Sequence, residues 1–167
     1  LMDLDVPVQL NRLVGDPNGE RPYDEIVVCG PVFPHEVAGF SGGNKYFVPG
    51  VAGQGVIDST HWVGALVTSR EIIGVRDTPV RSLIDRAASF IPTPRSLIAL
   101  VMHGQELHGV FMGGMEEAWR EATELSAELV LTAGTTHGQA VLTVQGWYCP
   151  PPEVIVFGVC TDPAFAD

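Results

Sequence analysis

One short stretch of the sequence gathers most of the residue types that could do chemistry. It runs from His35 to Lys45 through the glycine-rich segment Gly39-Phe40-Ser41-Gly42-Gly43-Asn44, and a second histidine, His61, lies sixteen positions beyond the lysine. An imidazole can take or give a proton near neutral pH. A partly buried lysine that has lost its proton can act as a nucleophile. The stretch therefore predicts a site that combines proton transfer, a reactive amine and an imidazole able to bind a metal.

Lys45 is the only lysine of the chain, in which Lys and Arg together number 9 against 20 Asp and Glu. A lone lysine behind Gly42 and Gly43 is a poor candidate for a generic solubilising charge. The two glycines allow positive φ angles and a close approach to a ligand, and they expose N–H groups that suit an anion. The alternatives are a surface ammonium for Lys45, a backbone-bonded loop residue for His35 and a packed helix-start residue for His61.

The composition argues against several classes of function. A formal charge of −11 repels phosphate backbones and anionic lipid headgroups, so we expect neither a nucleic-acid nor a membrane partner. Hydrophobic residues at 46% and charged residues at 17% are typical of a globular chain. Cys29, Cys149 and Cys160 have no C-x-x-C spacing and are odd in number. This favours a reducing compartment, and we expect a cytoplasmic protein.

The elements around the site predict an α/β fold. Residues 25–30 form a β-branched run stopped by glycine and proline, which is typical of a strand buried on both faces in a parallel sheet. The chemical stretch follows this strand directly, at the carboxyl end where open α/β sheets bind ligands. His35 comes after Phe33-Pro34, a dipeptide that favours an extended chain and an imidazole at a loop tip.

The rest of the chain predicts three helices, a β-hairpin and a last strand. A loosely helical segment spans 55–68, with Asp58, Ser59 or Thr60 as its cap, and Thr78-Pro79 begins a clearer helix. Two apolar runs joined by 103–106 predict the hairpin, and 153–160 the last strand. The strongest amphipathic stripe consists of Met115, Ala118, Trp119, Ala122, Leu125 and Leu129. Together they indicate a mixed, mainly parallel sheet flanked by helices.

We expect a single, incomplete domain. Residues 1–23 form a lead-in and loop, 24–130 the core and 131–167 a tail with the last strand. Both ends of the sequence look like cuts through a larger protein. Among the remaining polar residues, His103, His108 and His137 have no metal-like partner at i+2 or i+4, so we interpret them as structural. Asp77 and Arg81 are predicted to pair around a helix start, which contributes little at a surface.

Two familiar phosphate-binding patterns are absent from residues 39–45. Asn44 and Tyr46 flank the lysine where a P-loop requires glycine before it and Ser or Thr after it, and the G-x-G-x-x-G spacing is missing. The segment instead resembles the lactate racemase family, whose members use a nickel pincer cofactor. The family pattern is a histidine, G-F-S-G-G-x-K, P-G-[IV]-x-G and a second histidine. His35, residues 39–45, residues 49–53 and His61 match it in order, and weaker similarity covers roughly 24–128.

The resemblance implies a role for each matched residue. Lys45 corresponds to the lysine that holds the nickel pincer nucleotide (a pyridinium-3-thioamide-5-thiocarboxylic acid mononucleotide with nickel) covalently through a thioamide. His61 corresponds to the histidine that completes the nickel coordination, and His35 to one of two catalytic histidines. Ser41, Gly42 and Gly43 belong to the cofactor-binding motif. The implied reaction is racemisation or epimerisation of a lactate-like 2-hydroxy acid by proton-coupled hydride transfer to the cofactor.

The resemblance also implies partners and omissions. Cofactor-biosynthesis enzymes would be needed to load Lys45. The family's other histidine and its substrate-binding arginine lie upstream of the matched segment, and its second domain lies downstream, so we expect this chain to be a fragment of the N-terminal catalytic domain. Two alternatives stay open: a non-catalytic α/β domain that binds the cofactor or another nucleotide, and an inactive structural fragment.

Overall fold

The computed structural model describes residues 5–14 and 23–131. Within these ranges the chain forms five strands, four α-helices and one 3-10 turn. In chain order they are β1 (Ile26–Pro31), β2 (Pro34–His35), β3 (Gly39–Phe40), the 3-10 turn (Gly43–Tyr46), α1 (Gln54–Val67), α2 (Ser69–Ile72), α3 (Pro79–Ala88), β4 (Arg95–His103), β5 (Glu106–Gly114) and α4 (Met115–Leu131).

The main sheet is mixed, as the sequence predicts. Its strand order is β1-β4-β5, with β1 parallel to β4 and β4 antiparallel to β5. The predicted hairpin is confirmed, since β4 and β5 are joined at Gly104-Gln105 and His103 pairs with Glu106. Strands β2 and β3 form a small separate antiparallel ribbon. The α/β class with a mixed sheet flanked by helices is therefore confirmed.

Strand β1 forms where predicted, but its predicted burial on both faces is wrong. Val27 is 59% exposed and Cys29 is exposed as well. The side chains of a strand alternate between the two faces of its sheet. On β4 the alternating residues Leu97 and Ala99 are fully buried, and α4 packs against this strand. Cys29 lies in register with Ile98, on the opposite face.

The predicted amphipathic helix near the end of the described chain is confirmed as α4. Met115, Ala118, Trp119 and Ala122 are buried, while Glu117 lies on the exposed side. This burial agrees with the apolar spacing of three and four residues, which forms one stripe along a helix. Helix α4 contacts both β4 and β5, and it also contacts the 3-10 turn. It therefore links the sheet to the segment that carries Lys45.

Helix α3 begins as the sequence predicts. The Thr78 hydroxyl accepts a hydrogen bond from the Arg81 main-chain N–H at 3.0 Å, and Pro79 occupies the first helical turn. A threonine cap satisfies one of the N–H groups that the first turn leaves unpaired, and proline has no N–H to leave unpaired there. The side chains of Val80 and Ile84, on the inner face of this helix, are fully buried.

Helix α1 confirms the predicted segment but not its predicted cap. The helix begins at Gln54 after Gly53, with no side-chain cap. Asp58, Ser59 and Thr60 lie inside the helix, and Ser59 Oγ donates to the Gly55 carbonyl at 2.7 Å. The start is fixed instead by the lead-in, since Gly53 N–H donates to the Gln9 carbonyl at 2.7 Å. Because Gln9 and Gly53 are far apart in the sequence, no local sequence pattern predicts that this hydrogen bond sets the start of α1.

Part of the predicted lead-in is described, and it packs against the core. Val6, Val8 and Leu10 are partly buried, and Leu10 forms an isolated bridge with Ala52. The predicted last strand, 153–160, lies outside the described residues, so the division into lead-in, core and tail stays a prediction. Of the helices in 5–14 and 23–131, none has the length and apolar character needed to cross a membrane.

Candidate functional site

The chemical stretch lies at the carboxyl end of β1, as predicted. After Pro31 the β2–β3 ribbon pairs His35 with Gly39, and the chain then turns sharply at Gly42 and Gly43. These two glycines have φ angles of 76° and 60°, in the left-handed region that residues with a Cβ avoid. The 3-10 turn follows at once and carries Lys45. The predicted positive-φ glycine turn is therefore confirmed.

The Ser41 side chain holds this loop to the end of β1. Ser41 is buried, and its hydroxyl donates to the Pro31 carbonyl at 3.1 Å and accepts from the Phe33 N–H at 2.9 Å. Its only proton is thus used within the protein. Cofactor binding through Ser41, Gly42 and Gly43 stays a prediction, and the geometry gives the Ser41 hydroxyl a structural role.

His35 lies in the short strand β2 and is partly buried, so its predicted position at a loop tip is wrong. Its Nδ1 accepts hydrogen bonds from the N–H groups of Val37 at 3.0 Å and Ala38 at 3.4 Å. An accepting Nδ1 leaves the proton of the neutral ring on Nε2. Burial lowers the pKa of His35 to about 3, and the nearby positive charges of Lys45 and Arg81 lower it further, with a smaller effect from His61. The ring is therefore neutral at physiological pH.

Lys45 lies in a partly buried position and is not a typical surface ammonium. Burial lowers its pKa, and the positive charge of Arg81 acts in the same direction, whereas the Glu36 carboxylate opposes both. Loss of hydration disfavours the charged form of an amine. The neutral form is the nucleophilic one, so the environment favours the reactive-amine interpretation of this residue.

His61 lies in the middle of α1 and not at its start. Its ring is exposed, and Nδ1 is 2.7 Å from the Ile57 carbonyl oxygen one turn earlier. A carbonyl can only accept, so Nδ1 carries the proton and the lone pair lies on Nε2. Metal-binding histidines commonly donate their other ring N–H to a carbonyl in this way. The arrangement fits an imidazole ligand.

The three predicted residues share one electrostatic environment. The charges of Lys45 and His61 both lower the pKa of His35, so each of these two side chains lies within electrostatic range of the His35 ring. Glu36 adds a negative charge, with its Oε2 3.6 Å from His35 Nδ1. The His35 ring therefore experiences charges from Lys45, His61 and Glu36, and the two imidazoles carry their ring protons on opposite nitrogens.

Arg81 also belongs to this site, and the sequence interpretation missed it. The residue is 3% exposed, and its guanidinium donates to the carbonyls of Phe40 at 2.5 Å and Gly42 at 3.2 Å. Asp77, its predicted partner, pairs with Arg120 at 3.0 Å instead. The sequence held one signal, because Arg81 lies between the buried apolar residues of α3 and not on its polar side.

Two of the other histidines lie on the β4–β5 hairpin, and their interpretation as structural residues stays a prediction. His103 and His108 are exposed on the hairpin with their ring centres 6.0 Å apart, and His108 Nε2 is 3.8 Å from Glu106. His137 lies outside the described residues. Across 5–14 and 23–131, no group of three or more His, Cys, Asp or Glu side chains is arranged to hold a metal ion.

Comparison with known proteins identifies the segment that carries the site. Residues 3–74 match the family model of the lactate racemase N-terminal domain. This segment is similar to the lactate racemase N-terminal domain. His35, Lys45 and His61 all lie inside the lactate racemase match, whereas Arg81 and Trp119 lie beyond it. No curated protein sequence matches the chain.

Two solved structures resemble the chain over 74% of its length. One is a structural-genomics target from Thermotoga maritima, with 30% sequence identity and a TM-score of 0.65. The other is the lactate racemase apoprotein from Thermoanaerobacterium thermosaccharolyticum, with 24% identity and a TM-score of 0.59, a likeness of fold. The present chain spans 31% of each of these proteins.

The residues present fit the nickel pincer group that the lactate racemase relationship suggests. Neutral imidazole is a good ligand for nickel, and the His61 ring presents its lone pair at Nε2. A covalent bond to an amine needs the unprotonated nitrogen, and burial lowers the pKa of Lys45 in that direction. A single protein ligand is compatible with a group that brings its own metal donors.

Proposed function

We propose that this domain holds the nickel pincer nucleotide of a 2-hydroxy-acid racemase or epimerase. Lys45 is the covalent attachment point and His61 the protein ligand of the metal. The observation that carries the proposal is a partly buried amine with a lowered pKa directly after the glycine turn, within electrostatic range of the His35 ring, on which His61 also acts. The match to the lactate racemase N-terminal domain supports a lactate-like substrate.

Lys45 is suited to attachment by its position as well as its charge state. Its main-chain N–H donates to the Gly42 carbonyl at 3.2 Å, so the base of the side chain is fixed to the glycine turn. A nucleophile with few accessible orientations needs less ordering to reach its reaction geometry. As the sole lysine, it is also the only side-chain amine that a cofactor-loading enzyme would find in this chain.

His35 is the proton-transfer residue of the proposal. The bound nucleotide would supply a hydride acceptor for the hydrogen on the α-carbon of the substrate. The substrate hydroxyl proton needs a base, and Nε2 of His35 acts as one only when the ring proton lies on Nδ1. That tautomer gives up the hydrogen bonds from the Val37 and Ala38 N–H groups, at a cost of about 1 kcal/mol for each. The negative charge of Glu36, with Oε2 3.6 Å from Nδ1, would stabilise a proton on Nδ1 electrostatically.

The proposal extends beyond the described residues in two respects. Racemisation needs a proton-transfer group on each face of the substrate carbon, and we assign only His35. The second group and the residues that bind the substrate carboxylate are proposed to come from the longer protein, since this chain spans 31% of its structural relatives. Enzymes that assemble the cofactor are the proposed partners.

A loading experiment tests the metal assignment. The chain is co-expressed with the cofactor-making enzymes, purified, and its nickel content measured for wild type, His61→Ala and His103→Ala. We expect about one nickel per chain for wild type and for His103→Ala, whose ring is exposed on the hairpin. His61→Ala should lose most of the metal. Equal nickel in all three proteins contradicts the role of His61.

A second candidate function is favoured by one observation. A pKa of about 3 and a Nδ1 that accepts two main-chain N–H groups make the resting His35 ring a weak base. This supports a non-catalytic domain that only carries the cofactor. Racemase assays on a full-length parent protein with His35→Ala distinguish the two. Loss of activity by 100-fold or more, on the order expected for an acid–base residue, supports catalysis; unchanged activity supports the carrier.

A further inference from the structure

The glycine turn is held by two side chains that come from helices distant in sequence. Arg81 of α3 donates to the carbonyls of Phe40 and Gly42, and Trp119 of α4 donates from Nε1 to the Ser41 carbonyl between them at 2.8 Å. Three consecutive carbonyls are thus each bound by a side chain. Buried carbonyls need partners, and here the partners come from two different helices.

Arg81 and Trp119 also contact each other. The guanidinium carbon lies 4.1 Å from the centre of the Trp119 ring, within the range of a cation–π interaction. Both residues are almost fully buried, at 3% and 1% exposure. Arg81 Nε is buried without a hydrogen-bond partner. Burying a cation and an unpaired N–H is unfavourable for stability, which indicates that this arginine serves another purpose.

One carbonyl connects Arg81 directly to Lys45. The Gly42 oxygen accepts both from Arg81 Nη1 at 3.2 Å and from the Lys45 main-chain N–H at 3.2 Å. Asn44, next to the lysine, is held to the same helix because its side-chain amide donates to Asp85 at 3.0 Å. Helix α3 therefore contacts the turn immediately before Lys45.

We propose that Arg81 is a positioning residue for Lys45, fixing the Gly42 carbonyl from which the 3-10 turn starts and keeping a positive charge beside the amine. The inference rests on the proposed function only in naming Lys45 as the reactive residue. Trp119 supports Arg81 through the ring contact and fills the space beside Gly43, where an added Cβ would lie 2.9 Å from the indole.

The charges around Lys45 support the proposed electrostatic effect of Arg81 on the lysine amine. Burial is the main cause that lowers the pKa of the lysine; the Glu36 carboxylate raises it, and Arg81 lowers it by a smaller amount. The charge of Arg81 is itself offset in part by Asp85 on α3 and Glu116 on α4. Because Arg81 is the cation that acts on Lys45 from α3, its removal should move the lysine pKa upward.

The test uses the whole chain without cofactor, so its outcome does not depend on whether Lys45 is ever loaded. Lys45 is acetylated with acetic anhydride across a pH series, and the peptide carrying it is quantified by mass spectrometry. Hydrogen exchange of residues 42–46 is followed in parallel. The variants are Arg81→Gln, which removes the charge, Arg81→Lys, which keeps it, and Arg120→Gln, which removes an exposed arginine of α4 as the control.

For Arg81→Gln we expect faster exchange in 42–46 and a labelling midpoint at higher pH, so that acetylation below the midpoint is slower than in wild type. Arg81→Lys should exchange faster but keep the midpoint, and Arg120→Gln should change neither. A wild-type midpoint with wild-type exchange in Arg81→Gln overturns the proposal, as does an equal shift in Arg120→Gln. If Arg81→Gln does not fold, the Arg81→Lys variant is sufficient for the test: wild-type exchange of residues 42–46 in that variant overturns the proposal.

Discussion

The indole nitrogen of Trp119 donates to the main-chain carbonyl of Ser41 at 2.8 Å, joining two residues that are 78 positions apart. The bond ties α4 to the loop that leads into the glycine turn. Trp119 is 1% exposed, so this carbonyl has no ready replacement partner in water. The relationship makes α4, which lies beyond the family match, part of the site.

Replacing Trp119 by Phe should destabilise the protein. The variant removes the donor, leaves the Ser41 carbonyl unpaired and opens a small cavity, for a loss of about 2 kcal/mol in the free energy of unfolding. Urea denaturation followed by circular dichroism measures it. Trp62→Phe is the matched control, because Trp62 is 43% exposed and its loss should cost about 0.5 kcal/mol or less. Similar losses in both variants would mean that the buried bond contributes little.

Gly43 is expected to tolerate alanine poorly for two separable reasons. Its φ of 60° is unfavourable for alanine, and the new Cβ would lie 2.9 Å from two atoms of the Trp119 ring. Gly104 provides the control, because its φ is 61° and an added Cβ meets nothing within 4 Å. Gly104→Ala should cost about 1 kcal/mol and Gly43→Ala about 2–3 kcal/mol in unfolding free energy. Equal costs would show that the contact with Trp119 is not restrictive.

The low pKa of His35 should make the free energy of unfolding depend on pH. Its folded pKa is about 3 against 6.5 for the free side chain, so below pH 6.5 the unfolded chain takes up a proton that the folded chain does not. Folded stability from this group is therefore complete above about pH 6.5 and falls as the pH decreases toward 3. Between pH 7 and pH 5 the loss should be about 2 kcal/mol.

The pH prediction is checked by urea denaturation at pH 7 and pH 5 in wild type, His35→Gln and His108→Gln. His35→Gln should lose about 2 kcal/mol less than wild type on acidification, because glutamine does not titrate. His108 is exposed on the hairpin, and its variant should follow wild type. The same acid sensitivity in His35→Gln as in wild type would contradict the neutral, buried imidazole.

Much of the fold could be predicted from local sequence. The α4 stripe, the Thr78-Pro79 start of α3 and the hairpin around Gly104-Gln105 are set by residues within a few positions of each other. The cap of α1 could not be predicted, because its start is fixed by the Gln9 carbonyl through a long-range bond. The exposure of Cys29 on β1 depends on which face of the sheet α4 covers, and no strand pattern carries that information.

The residues of the candidate site, like the elements of the fold, could be predicted from the sequence only in part. His35, Lys45 and His61 are close in sequence, and their match in order to a family pattern singles them out where spacing alone leaves alternatives open. Arg81 was interpreted as a surface ion-pair residue because its role depends on the approach of α3 to a turn 39 positions earlier. The ring tautomers of His35 and His61 depend on individual main-chain contacts, Val37 N–H and the Ile57 carbonyl, which no composition or spacing reveals.

The mass of the peptide that carries Lys45, measured after co-expression with the cofactor-making enzymes, tests the central claim most directly. Because Lys45 is the sole lysine, a modified side-chain amine has one possible location. The account predicts an added mass equal to the pincer nucleotide on this peptide in wild type, and none in Lys45→Arg. An unmodified Lys45 peptide from wild type, prepared beside a lactate racemase that does become loaded, would contradict it.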